Sequence, residues 1–140
     1  MTSEPFATGQ CLCGGVRFIA KAKPVRMAQC HCRDCQRFSG TGHTSNAVFE
    51  AAQVEMTGDT ASYALKADSG NTFTRHFCPT CGGHVFALNS GRPGMIIFGV
   101  GVFDDSGWFS PQVVLYARSR QNWDAADDSV PAFEAMPPPR

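Results

Sequence analysis

Apolar positions along the chain alternate more often than they cycle. Val16, Phe18 and Ala20 alternate with Arg17, Ile19 and Lys21, the period-two pattern of a strand with one buried face. Phe73, Arg75 and Phe77 alternate with Thr74, His76 and Cys78, and a similar stretch runs from His84 to Leu88. Met95 to Phe103 is a nearly continuous apolar run broken by Gly99 and Gly101. It predicts a central strand with close backbone approach at the glycines. Gln112 to Ala117 predicts another strand, and Gly58-Asp59 and Asn89-Ser90-Gly91 predict turns. Long helical periodicity is absent. One short helix is predicted over Arg33 to Ser39, stopped by Gly40. The last ten residues hold four prolines and predict an irregular tail. The pattern predicts an all-β domain of about eight to ten short strands. We expect a single domain over residues 1–140, with its core from about residue 9 to 125.

Composition narrows the function. The chain is 43% hydrophobic, enough for one core of its own. Its formal net charge is zero, which leaves no electrostatic footprint for nucleic acid or an anionic membrane. No apolar run approaches the roughly 18–20 residues of a membrane span. The opening Met1-Thr2-Ser3-Glu4-Pro5 has neither a basic nor an apolar segment, so no secretion signal is read there. The expected compartment is the cytoplasm, where thiols stay reduced.

The seven cysteines change the picture most. A disulfide framework fits poorly: the count is odd, no export signal is read, and two pairs are spaced Cys-x-Cys. Buried inert thiols would be scattered, whereas these form three clusters: Cys11-Leu12-Cys13, Cys30-His31-Cys32-Arg33-Asp34-Cys35, and Cys78-Pro79-Thr80-Cys81. Each cluster can hold thiolates on a tight turn around one ion. The first and third both end in Cys-Gly-Gly and lead into alternating segments. That likeness predicts one closed zinc site of Cys11, Cys13, Cys78 and Cys81. A closed four-thiolate shell is structural.

Cys30, Cys32 and Cys35 remain. If the short helix starts near Cys32, Cys32 and Cys35 share one face at i, i+3, and Cys30 reaches the same ion from the preceding strand. Three protein ligands with an open position is the coordination of a catalytic zinc. Soft thiolates favour zinc over magnesium, calcium or manganese, and an iron–sulfur cluster more often takes four cysteines. Alternatively, a histidine completes the shell and both sites are structural. His31, His43, His76 and His84 are the candidates. His31 is disfavoured because both its neighbours are proposed ligands. His76 shares a predicted strand face with Cys78 and is a candidate to support that ligand.

With these residues in view, the sequence resembles the glutathione-dependent formaldehyde-activating family, also called the GFA or centromere-protein-V family, which has an Mss4-like fold. The resemblance rests on Gly9-Gln10-Cys11-Leu12-Cys13-Gly14-Gly15-Val16-Arg17-Phe18, on Cys30 to Arg37 with Ser39-Gly40, and on Phe77-Cys78-Pro79-Thr80-Cys81-Gly82. Weaker matches lie in Gly101 to Asp105 and in Arg118 to Trp123, and the likeness runs from about Gly9 to Pro137. Two positions depart from the family pattern: Phe103, where leucine is usual, and Asn122, where proline is common. The resemblance implies a structural zinc on Cys11, Cys13, Cys78 and Cys81 and a catalytic zinc on Cys30, Cys32 and Cys35. It further implies the joining of glutathione to formaldehyde as S-(hydroxymethyl)glutathione, a carbon–sulfur lyase reaction in its reverse sense.

The expected chemistry is attack of a thiolate on an aldehyde carbon, with zinc binding the sulfur or polarising the aldehyde oxygen. Arg33 and Arg37, at i, i+4 on the predicted helix, and Arg75 are candidates to bind glutathione carboxylates. Asp34 is a candidate general base or helix cap. The competing reading is a non-enzymatic zinc module of Mss4-like fold that binds another protein.

Overall fold

The computed structural model describes residues 4–125 and 128–137. The chain is mostly β, with ten strands and one α-helix among the described residues. In order they are β1 (Ala7–Gln10), β2 (Arg17–Ala20), β3 (Arg26–Cys30), α1 (Arg33–Ser39), β4 (Thr44–Glu50), β5 (Val54–Thr57), β6 (Ala61–Lys66), β7 (Thr72–Phe77), β8 (His84–Asn89), β9 (Met95–Gly99) and β10 (Val113–Leu115). A three-stranded sheet has the order β1-β2-β5, and a seven-stranded sheet the order β10-β3-β4-β9-β8-β7-β6. Strand pairing is antiparallel except between β10 and β3. Among the described residues no helix is long and apolar enough to cross a membrane.

The segment around β2 faces as the pattern predicts. Val16, Phe18 and Ala20 are buried while Arg17 and Ile19 are exposed. They meet Phe49, Val85, Ile96, Phe98 and Phe103 in the main core. Phe18 stacks on Phe98 at 4.2 Å and meets Phe103 edge-on at 5.1 Å, geometries that favour aromatic pairs beyond their burial alone. Cys11 and Cys78 close one end of this core. A second, smaller cluster gathers Ala28, Cys30, Cys35, Val113, Leu115 and Tyr116. Each core therefore carries a set of cysteines.

Two expectations need correction. The run from Met95 is central, between β4 and β8, but it leaves the sheet after Gly99 and turns through a 3-10 segment at Val100–Val102. A Cβ on Gly99 or Gly101 would meet nothing within 4 Å, so neither glycine serves a close approach. The close approach is at Gly9, where a Cβ would lie 2.4 Å from the Phe18 ring and 2.4 Å from the Val102 carbonyl oxygen. The segment 131–137 is irregular, as expected, and is tied to the sheet. It runs beside β10, with Val114 N–H donating to Pro131 O at 2.9 Å and Phe133 N–H to Val114 O at 2.9 Å. Ala135 packs on the second core. These bonds satisfy the free edge of β10, which would otherwise invite pairing with another chain.

Candidate metal centres and substrate cavity

Cys11 and Cys13 lie on the turn between β1 and β2, and Cys78 and Cys81 on the turn between β7 and β8. The fold brings both turns to one point, so that Sγ of Cys13 lies 3.7 Å from Sγ of Cys78 across 65 residues of sequence. Cys11 and Cys13 are likewise 3.7 Å apart. A tetrahedral zinc with bonds of about 2.3 Å needs sulfurs about 3.8 Å apart. Both pairs meet that spacing, and all four sulfurs lie within 4.8 Å of one another. All seven cysteines are free of disulfides.

The paired Cys-Gly-Gly turns explain the geometry locally. Gly14 and Gly82 hold φ values of 78° and 72°, the left-handed region that L side chains avoid. That bend turns the next amides inward. Gly15 N–H donates to Cys13 Sγ at 3.4 Å, Gly83 N–H to Cys81 Sγ at 3.4 Å, and Val16 N–H to Cys11 Sγ at 3.3 Å. Donors aimed at sulfur stabilise thiolates and orient them as ligands. The Cys11 thiol is accordingly lowered to about 6: burial opposes the charge, and the Val16 amide and the three neighbouring cysteines outweigh it.

The second cysteine set is local in sequence. Cys30 ends β3, Cys32 is the N-cap of α1 and Cys35 lies in its first turn. Cys32 Sγ accepts the Cys35 N–H at 3.2 Å, so a cysteine fills the capping role that the sequence left open for Asp34. Asp34 is exposed in that first turn. Gly40, at φ 76°, ends the helix. The three sulfurs lie within 4.8 Å of one another. Hydrogen bonds from the Cys30 and Cys32 thiols lower Cys35 to about 3, helped by the Thr44 hydroxyl and the Arg75 charge. Hydrogen bonding to Cys32 and Cys35, together with burial, pushes Cys30 far up. Three thiols this close cannot all ionise unaided, and a cation is needed to hold all three deprotonated. The donor set is soft and matches zinc.

Cys35 opens on a cavity of about 380 Å³, lined also by Phe38, His43, Phe73, Arg75 and His84. That volume suits a small ligand. Arg75 is 7% exposed. Its guanidinium lies between the Phe38 ring at 4.7 Å and the Phe73 ring at 4.6 Å. Its Nε makes no hydrogen bond. Arg33 and Arg37 line a separate depression with Gln36, Gly40, Gln121 and Trp123. The two cavities adjoin at Thr41, which lines both.

The histidines sort differently from the sequence reading. His76 stacks on Phe86 at 4.3 Å and pairs with Thr60 Oγ1 at 2.9 Å, so it does not support Cys78. His84 packs on Phe38 at 3.7 Å. Burial lowers its imidazole, and Arg75 adds to that while the Phe38 backbone opposes it. His31 points away from its cysteine neighbours, as alternate side chains of an extended segment must. It meets His43 and Asp124 instead. Sequence reasoning missed Asp124, which lies 81 residues beyond its nearest partner and in no motif.

No curated protein matched the chain. A crystal structure of a Rhodobacter sphaeroides protein superposes with a TM-score of 0.55 at 17% identity, covering 69% of this chain and 87% of that one. At that identity the likeness is one of fold. The family model described as glutathione-dependent formaldehyde-activating enzyme matches residues 6–119, and the chain belongs to that family.

Proposed function

We propose that the cavity at Cys35 is where a thiol, glutathione or one much like it, adds to formaldehyde or a similar aldehyde, the reaction being that of a carbon–sulfur lyase run in reverse. Family membership supports a glutathione-related role. The observation that carries the finer reading is that Cys35 and the buried Arg75 line one cavity. A buried cation is costly unless an anion meets it, and among the described residues no carboxylate forms an ion pair with Arg75.

Cys11, Cys13, Cys78 and Cys81 would hold a structural zinc, and Cys30, Cys32 and Cys35 a second one. A zinc on the three cysteines supplies a Lewis acid and a soft site for a thiolate. The residues around it do the rest. Arg75 receives one carboxylate of the thiol substrate. Arg33 and Arg37, across Thr41, are placed for the other. Phe38 and Phe73 exclude water from the cavity and hold the guanidinium flat. In the addition, the sulfur–carbon bond forms as the carbonyl π bond breaks. The thiol proton leaves, and the new alkoxide takes one up. His84 lines the cavity and is the group placed to carry that proton.

The test is calorimetric titration of glutathione into fully zinc-loaded protein, repeated with S-methylglutathione. Capping the sulfur removes most of the binding if the metal anchors the ligand. Equal binding of both would overturn sulfur anchoring, and binding of neither would overturn glutathione as the substrate. In that last case the interaction-module reading of the fold gains ground.

A further inference from the structure

We propose that His31, His43 and Asp124 form an additional binding site for a divalent first-row transition ion, distinct from both cysteine clusters. The three side chains come from separate places: the segment after β3, the segment before β4, and a turn beyond β10. Asp124 lies outside the residues matched by the family. Their ligand atoms all lie within 4.8 Å of one another. Asp124 Oδ2 is 2.6 Å from His43 Nδ1 and 3.3 Å from His31 Nδ1.

His31 carries the argument. Its side chain is completely buried, yet neither ring nitrogen makes a hydrogen bond. A buried polar atom without a partner costs about 1–3 kcal/mol. A purely hydrogen-bonded cluster does not remove that cost. The short contact to Asp124 serves His43 and leaves His31 only the longer 3.3 Å approach to the same oxygen. A cation among the three groups takes one lone pair from each, with nitrogen–oxygen separations of about 3.4 Å expected for tetrahedral bonds near 2.1 Å. The 3.3 Å pair already meets that spacing, and the 2.6 Å pair must open by roughly 0.7 Å to admit the ion.

The backbone is also cut to fit. A Cβ on Gly42 would lie 2.3 Å from Asp124 Oδ2, so only glycine admits the carboxylate at this position. Asp124 is held from behind: its N–H donates to Gln121 O at 3.1 Å, and its carbonyl accepts from Arg120 Nη1 at 2.7 Å. Two imidazoles and a carboxylate are a donor set of zinc and of non-haem iron, and a poor one for calcium or magnesium. His43 also lines the Cys35 cavity, so an ion here borders the space where small ligands enter.

The experiment is reconstitution of the full chain with cobalt(II) under reducing conditions, reading metal content by mass spectrometry and thiolate-to-cobalt absorption. The parent is expected to bind one equivalent more than its thiolate absorption accounts for. His43→Gln and Asp124→Asn each lose that equivalent and keep the thiolate bands. His43 is partly exposed, so its variant folds. Gly42→Ala, which displaces the carboxylate, loses the same equivalent with every ligand residue retained. Unchanged metal content in His43→Gln and Asp124→Asn would overturn the proposal. So would loss of the thiolate bands together with the extra equivalent, since the cluster would then act through the cysteines. The readout is independent of glutathione chemistry.

Discussion

The two cysteine sets use the same ligand in opposite ways. Cys11, Cys13, Cys78 and Cys81 join two turns separated by 65 residues at the end of the main core. Each half is a Cys-Gly-Gly turn whose amides point at sulfur. Cys30, Cys32 and Cys35 lie within one strand end and one helical turn, and they open on a cavity. An ion at the first set closes a long loop and contributes folding free energy. At the second set the backbone is already held by β4 and β10 pairing with β3, so an ion adds less to folding. On the proposed reading, sequence span and access, not ligand type, would separate a staple from a reactive centre.

The largest effect is expected at the staple. Cys78→Ser removes a buried ligand from a site whose binding is worth on the order of 10 kcal/mol. The variant should be insoluble or lack a cooperative thermal transition, and lose one equivalent of zinc. Unchanged melting with full zinc content would break the pairing.

Next is Cys32→Ser. Serine keeps the capping oxygen for the Cys35 N–H, so stability should fall by less than about 1 kcal/mol. Thiol–aldehyde activity should fall by roughly 100-fold or more, as loss of a metal ligand exceeds the loss from its supporting partners. Melting temperature and initial rate, measured side by side, check this. A melt far below the parent would make the second set structural as well.

A smaller effect is expected at Arg75→Met, which keeps the stem between Phe38 and Phe73 but removes the charge. Glutathione affinity should drop about tenfold to a hundredfold, the worth of a hydrogen bond to a charged group. Stability should stay equal or rise, because a buried cation without a carboxylate is gone. Calorimetry and a denaturant melt read both, and unaltered affinity would remove Arg75 from the substrate site.

The smallest effect compares two left-handed glycines. Gly82→Ala and Gly40→Ala each place a side chain at φ above 70°, and neither new Cβ meets an atom within 4 Å. Each should cost about 1–2 kcal/mol. Gly82→Ala alone should also weaken zinc in a chelator competition, because its turn aims an amide at Cys81. Equal zinc affinity in both variants would show that the turn contributes no more than its backbone conformation.

Much of this was legible in the chain. Period-two alternation located β2 and β8 because each buries one face, and β7 although both its faces are half-buried. Gly40 marked the end of α1 because a left-handed stop is local chemistry, whereas the N-cap went to Cys32 rather than to the candidate Asp34. The like Cys-Gly-Gly turns named the partners of the four-cysteine set before any contact was known, since a backbone bend toward sulfur is written in residue type. The end of β9 at Gly99 was not legible, because an apolar run reads the same in a strand and in the 3-10 turn that follows it. The docking of residues 131–135 beside β10 was hidden too, because backbone bonds at a sheet edge leave no side-chain pattern.

The sequence by itself determined the β class, the cysteine sets and the family, because these rest on local periodicity and on ligands a few residues apart. Only the tertiary structure decided which polar groups share a space. It placed Arg75 with Cys35 while Arg33 and Arg37 faced the adjoining depression. It turned His31 from its own cysteine motif toward His43 and Asp124. Those choices depend on strand pairing across the chain and on which side of an extended backbone a residue leaves, and neither is encoded in residue spacing.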